Sequence, residues 1–141
     1  MKYAFMTILI FTTVIISAEN KGSLTIDVTG VKKTGKVYVA VFNKAEGFPM
    51  DSDNAFRRDM KKAEEKKLTF IFSELPFGAY AISVWHDEND NGKFDTNFLG
   101  IPKEGVGVSN NAKGMMGPPK FKDAKFLFKK NKLNISIPMN Y

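Results

Sequence analysis

The chain has 141 residues, 43% of them hydrophobic, with 21 Lys and Arg against 15 Asp and Glu and no Cys. That length supports one domain around one core, and the missing Cys excludes a disulfide framework and thiolate chemistry. The formal net charge of +6 comes from Lys scattered along the chain, which predicts a solvated exterior, and no nucleic-acid reader motif accompanies it.

Residues 1–18 are read as a secretory signal peptide: Lys2 precedes a mostly apolar run, Ala4 to Ile16, and a small residue, Ala18, precedes the expected cut. The run is shorter than the roughly 20 residues a membrane-spanning helix needs, so an uncleaved anchor is the lesser alternative. The absence of Cys argues against a lipid anchor. Export to the periplasm or the extracellular space is therefore expected, with residues 19–141 as one domain and no membrane span.

Period-two patterning then dominates. "SLTIDVTG" puts Leu24, Ile26 and Val28 on one face, and "KVYVAVF" alternates Val37, Val39 and Val41 with Tyr38, Ala40 and Phe42, so both its faces can be covered. Residues 50–67, charged and free of Gly and Pro, predict a short surface helix with Phe56 and Met60 on one edge. "KLTFIFSEL" and "AYAISVW" read as two further strands, reversed at "LPFGAY", where Pro76 and Gly78 suit a tight turn. Residues 86–121 hold six of the eleven Gly and predict a long loop, packed through Phe94, Phe98, Leu99, Ile101, Met115, Met116 and Phe121. "AKFLFKK" and "KLNISIPMNY" alternate again. The expected fold is all-β: a two-sheet sandwich of about seven strands, transthyretin-like or immunoglobulin-like, with one short helix.

The chemistry concentrates in "WHDENDNGKFD". Against the calcium-loop pattern D-x-[DN]-x-[DN]-G, Asp87, Asn89 and Asn91 occupy the first, third and fifth positions, and Gly92 the sixth. Lys93 offers its carbonyl at the seventh and Asp95 a carboxylate at the ninth. Phe98 stands at the twelfth, where a bidentate Glu belongs. Calcium takes six to eight oxygens, so the local loop is incomplete unless waters or a distant carboxylate, Glu104 or Asp123, fill it. Binding on the order of 10⁻⁴–10⁻³ M is expected. The competing reading is an Asx-rich turn bonded to its own backbone.

His86, the only His, sits beside Asp87 and Glu88 and is a weak candidate for a general base, with Glu104 a second weak catalytic candidate. No Cys nucleophile exists, and Ser109 lacks the elbow motif of a hydrolase. Paired carboxylates from Asp87, Glu88, Asp90 or Glu104 would suit glycoside cleavage, although their separation is not readable from sequence. Trp85 is expected in the core, next to the loop. The "KGMMGPP" thioethers suit packing better than Cu(I), and the Asn134 sequon falls on a strand.

The run from "LPFGAY" to "GPPKFKDAKF" resembles an uncharacterised bacterial family, the domain of unknown function numbered 2141. It shares a Leu-Pro-x-Gly-x-Tyr-Ala turn, a His-Asp-Glu-Asn-x-Asn-Gly-x-x-Asp loop, a Gly-Ile-Pro-x-Glu-Gly segment and a Gly-Pro-Pro-x-Phe stretch. The resemblance implies a small exported domain and brings no activity with it. "VWHDENDNGKFD" is also similar to calcium-binding B-type repeats of surface adhesins, which have a transthyretin-like sandwich; Asn91 stands where those repeats carry Asp and removes one charge. The hairpin resembles that of prealbumin-type modules. Fold-level likeness does not carry function.

The expected function is a binding or structural module whose loop 86–121 forms the recognition surface. Trp85, Gly92, Gly100, Gly105 and Ser109 are its candidate binding residues, and an unknown ligand or envelope protein its partner. The alternatives are a periplasmic hydrolase using the loop carboxylates and His86, and an edge-strand partner in an envelope complex.

Overall fold

The computed structural model describes residues 20–141; the expected signal peptide lies outside the described residues. Eight strands follow in order: β1 (Lys21–Thr29), β2 (Lys36–Phe42), β3 (Arg57–Lys62), β4 (Lys67–Pro76), β5 (Gly78–Asp87), β6 (Gly105–Val108), β7 (Phe126–Phe128) and β8 (Lys132–Pro138). One helical turn, α1 (Phe121–Ala124), precedes β7, and 3-10 turns occupy Ser52–Asn54 and Ser109–Asn111.

The strands form two sheets. The first runs β4-β1-β8, with β1 antiparallel to β4 and parallel to β8. The second runs β3-β2-β5-β6, and β7 also pairs with β5. Strand β5 thus has β2 along one edge, while β6 and β7 divide the other: β6 takes Ser83 to His86 and β7 takes Gly78 to Tyr80.

Alternation decides what lies between the sheets. Leu24, Ile26 and Val28 of β1 and Leu68, Phe70 and Phe72 of β4 point inward from the first sheet. Val37, Val39 and Val41 of β2 and Tyr80, Ile82 and Val84 of β5 meet them from the second. Fully burying a side chain such as Phe70 stabilises the fold by about 1.5–3 kcal/mol. At the β4–β5 reversal, the Tyr80 hydroxyl donates to the Pro76 carbonyl at 2.8 Å, so the Leu-Pro-x-Gly-x-Tyr stretch closes on itself.

Three expectations need correction. Residues 50–67 do not form a helix: apart from the 3-10 turn at Ser52–Asn54, their ordered part is edge strand β3, in register with β2 through Tyr38↔Met60 and Ala40↔Arg58. Pairing with an available sheet edge outweighs local helix preference. The expected apolar edge is consequently split, Phe56 packing against the core and Met60 facing the other way.

The loop 86–121 is likewise not continuous. Strand β6 and a 3-10 turn divide it, because the "GVGV" run fits against β5 despite its two Gly. Nor is the loop packed throughout. Phe94 is partly covered, but Phe98, Leu99, Ile101, Met115 and Met116 are exposed.

Trp85 is the third correction. Period two on β5 sends Ile82, Val84 and His86 into the core, so Trp85 must project from the outer face, where it is only partly covered.

Candidate functional site

Asp87 closes β5 fully buried, and its carboxylate anchors the following turn. Its Oδ1 accepts the Asn91 N–H at 3.1 Å and its Oδ2 the Gly92 N–H at 2.8 Å. The Oδ1 of Asn89 also accepts from Asn91 N–H, and that of Asn91 accepts from Lys93 N–H at 2.8 Å. Asp95 Oδ2 receives the side-chain amides of both Asn89 (2.8 Å) and Asn91 (2.9 Å). Those two amides hold the Asp95 carboxyl below its ordinary pKa, the Asn89 bond contributing most. Gly92 adopts φ +72° and Asp90 φ +56° at the tip, where a Gly without Cβ reverses the chain at no steric cost. Asp90 pairs with Lys36 at 2.7 Å, and this bond raises the Lys36 pKa.

Glu104, from just before β6, is the residue that knits this turn to the sheet. Buried, it accepts the Trp85 Nε1–H at 2.7 Å and the Asp95 N–H at 3.2 Å through Oε2, and the Glu88 N–H at 3.2 Å through Oε1. Glu88 pairs with Lys32 at 3.0 Å through Oε2, while its Oε1 is buried with no hydrogen-bond partner. Glu88, Asn89, Asp95, Thr96, Lys103 and Glu104 bound a polar pocket of about 360 Å³. Of the candidate calcium ligands, Asp87, Asn89, Asn91, Lys93 and Asp95 therefore share one turn, with Glu104 joined to its far end. Among the described residues, no three His, Cys, Asp or Glu side chains already stand at ion-holding spacing.

His86 points the other way, into the core, with both ring nitrogens engaged. Nε2 lies 2.5 Å from the Thr34 carbonyl and Nδ1 2.7 Å from the Tyr141 hydroxyl. A carbonyl can only accept, so Nε2 carries the proton and Nδ1 accepts from Tyr141. The Tyr141 hydroxyl in turn accepts the Lys32 N–H at 3.0 Å, and burial pushes its pKa up. His86 and Asp87, neighbours in sequence, thus serve opposite faces of the sheet.

The remaining candidates separate by environment. The buried Ser109 hydroxyl accepts the Ile82 N–H at 2.9 Å and donates to the Ala124 carbonyl at 2.7 Å, tying α1 to β5. Gly100 has φ +77° in the exposed loop, but Gly105 has no positive φ. A Cβ at Gly105 would run into the Tyr141 ring, so close packing explains that Gly and backbone freedom does not.

The outer face of the second sheet carries what patterning did not single out. Tyr38, Trp85 and Val106 align in register across β2, β5 and β6, and Ala40, Ser83 and Val108 form the next row. Tyr38 and Trp85 stack with centroids 4.8 Å apart, and Phe94 meets Trp85 edge-on at 6.0 Å. This floor belongs to a groove of about 1180 Å³, walled by Leu99 and Ile101 from one loop and Met116 and Pro118 from another. The available signal was the second apolar face of "KVYVAVF".

A two-sheet β-sandwich with an acid-anchored Asx turn and an apolar outer groove defines the class of this protein. The chain belongs to the family described as "Uncharacterized protein conserved in bacteria (DUF2141)", whose model matches residues 26–136. No curated protein and no solved structure matches the chain.

Proposed function

We propose that this protein is an exported binding module that takes a small, apolar-bodied ligand into the groove on the outer face of its second sheet. The carrying observation is the groove itself. Its floor is apolar and aromatic, and the lining also carries the charged Arg58, Asp59 and Lys113 and polar side chains such as Ser83 and Asn111. Concave, mostly apolar sites with few polar groups are the usual form of small-molecule sites. The Asx turn and Glu104 act as a brace that holds Trp85 and Phe94 in place. Trp85 is the only Trp, so its emission reports on the groove directly. Titration with anilinonaphthalene sulfonate is expected to give saturable binding and a Trp85 emission change. Met60→Glu combined with Ile101→Glu, both at exposed wall positions, should abolish both signals. Unsaturable binding, or binding indifferent to the two substitutions, refutes the reading.

Calcium is proposed as a reinforcement of the brace. The supporting observation is Glu88 Oε1, buried without a partner beside the pocket that Asp95 and Glu104 border. An ion would require the Asn89 and Asn91 amides to turn their oxygens toward Asp95, which implies weak binding, on the order of 10⁻⁴–10⁻³ M. At a Kd of about 0.1 mM, roughly 1 mM calcium would add about 1.4 kcal/mol of stability. An unchanged melting temperature in calcium leaves the hydrogen bonds as the whole brace.

A further inference from the structure

We infer that the two loop tips beside the groove, Phe98-Leu99 and Met115-Met116, dock the protein on an anionic lipid surface. Among the described residues, five of the ten exposed large apolar side chains line the groove, and Phe98 and Met115 adjoin them in the chain. Phe98, Met115 and Met116 are essentially fully exposed. Single exposed apolar side chains are ordinary, whereas a concentration on one side marks an interaction surface. Leu99 and Ile101 from one tip and Met116 from the other wall the same groove, so the tips flank one mouth.

Charge selects the occupant. From Asp95 to Asp123 the loops carry four exposed lysines, Lys103, Lys113, Lys120 and Lys122, against one aspartate at each end, and the remaining acid, Glu104, is buried and accepts from Trp85. Apolar tips among residues with an excess of basic charge match a bilayer interface, where rings and thioethers enter the acyl boundary and ammonium groups meet phosphates. A second copy of this chain is disfavoured, because a self-complementary contact would bring the same lysines together. Each Lys near an anionic surface favours binding about fivefold. The inference stands apart from the groove's ligand, since an empty groove leaves the tips unchanged.

The test exploits the absence of Cys. Met115→Cys in the full chain carries a nitrobenzoxadiazole probe, with Ile71→Cys on the opposite sheet as the matched control; both native side chains are exposed. Vesicles of phosphatidylglycerol and phosphatidylcholine in equal parts should shift the position-115 emission to the blue and leave position 71 unchanged. Binding should exceed that to pure phosphatidylcholine on the order of tenfold or more. It should weaken as salt rises, because screening shortens the reach of the lysines. Phe98→Ser with Leu99→Ser on the labelled chain should remove the shift. A probe that stays aqueous, equal shifts at both positions, equal binding to both vesicles, or a concentration-dependent shift in buffer alone each overturns the inference, the last by pointing to self-association.

Discussion

Replacing Glu104 tests the brace most directly. Glu104→Ala leaves three donors without their acceptor: Trp85 Nε1–H, Glu88 N–H and Asp95 N–H. The 2.7 Å bond from Trp85 ends on a carboxylate and counts for about 1.5–3 kcal/mol, and the two 3.2 Å bonds for roughly 0.5 kcal/mol each. Against this stand the relief of a buried carboxylate's desolvation and the entry of water to the part-buried amides. A net loss of about 2 kcal/mol is expected. Glu104→Gln keeps the shape and one acceptor oxygen, so about half that loss is expected. Urea unfolding followed by Trp85 emission measures both, and the native emission of the Ala variant should shift to the red as the indole loses its partner. Losses below about 0.5 kcal/mol in both variants, with native emission unchanged, would show that Glu104 does not hold the turn to the sheet.

Tyr141→Phe removes the hydroxyl that donates to His86 Nδ1 and leaves that fully buried nitrogen unpaired, so about 1–3 kcal/mol should be lost in chemical denaturation. Because the folded Tyr141 pKa is raised by burial, its contribution is complete below the unfolded value near 10 and fades as pH rises through the folded value; Tyr141→Phe should flatten that alkaline loss in a pH series of melting curves. Asp95 behaves oppositely, its pKa being lowered by the Asn89 and Asn91 amides. Its contribution is present above about pH 3.9 and lost as pH falls through the depressed folded value, and Asp95→Asn should blunt that step in Trp85 emission. Phe70→Ala, between the sheets, should cost about 3–5 kcal/mol in urea unfolding, while Ile71→Ala on the exposed outer face should stay within about 0.5 kcal/mol.

The fold was legible wherever one strand face is buried and the other wet. Leu24, Ile26 and Val28, or Leu68, Phe70 and Phe72, can satisfy their alternation only against a second layer. Strand β3 was not legible, because all six of its residues are exposed and its structure comes from the β2 edge. Strand β6 was hidden by Gly105 and Gly107, whose missing side chains make room for Tyr141 and Ile137, contacts distant in sequence. The site was half legible. Spacing placed Asp87, Asn89, Asn91, Gly92 and Asp95 on one turn, and of the two distant carboxylates considered, Glu104 and Asp123, it is Glu104 that meets the turn, by accepting the Asp95 N–H. What spacing cannot show is that the oxygens already accept N–H groups, or that adjacent His86 and Asp87 diverge. The position of Trp85 was derivable from parity on β5, and its size misdirected the expectation.

The two outer faces supply the last step. On the first sheet the outward residues include Thr25, Asp27, Thr69 and Asn134, and Asp27 bonds Thr69 at 2.7 Å and Lys67 at 2.9 Å. That face meets water with its polar groups paired, which is how a half-buried sheet ordinarily ends. The second sheet has the same duty to its core and yet turns Tyr38, Trp85, Val106 and Val108 outward. At one end this apolar surface is closed by the chain itself, where Phe42 meets Phe48 at 5.3 Å and Phe48 meets Phe121 at 5.9 Å. At the Trp85 end it stays open, though the Asx turn and Glu104 hold that end firmly in place. Stability alone would favour closing both ends alike, since uncovered apolar area forgoes about 25 cal/mol per Å². A floor that is rigidly braced but left uncovered is what a binding surface requires, because preorganisation lowers the entropy lost when a ligand enters.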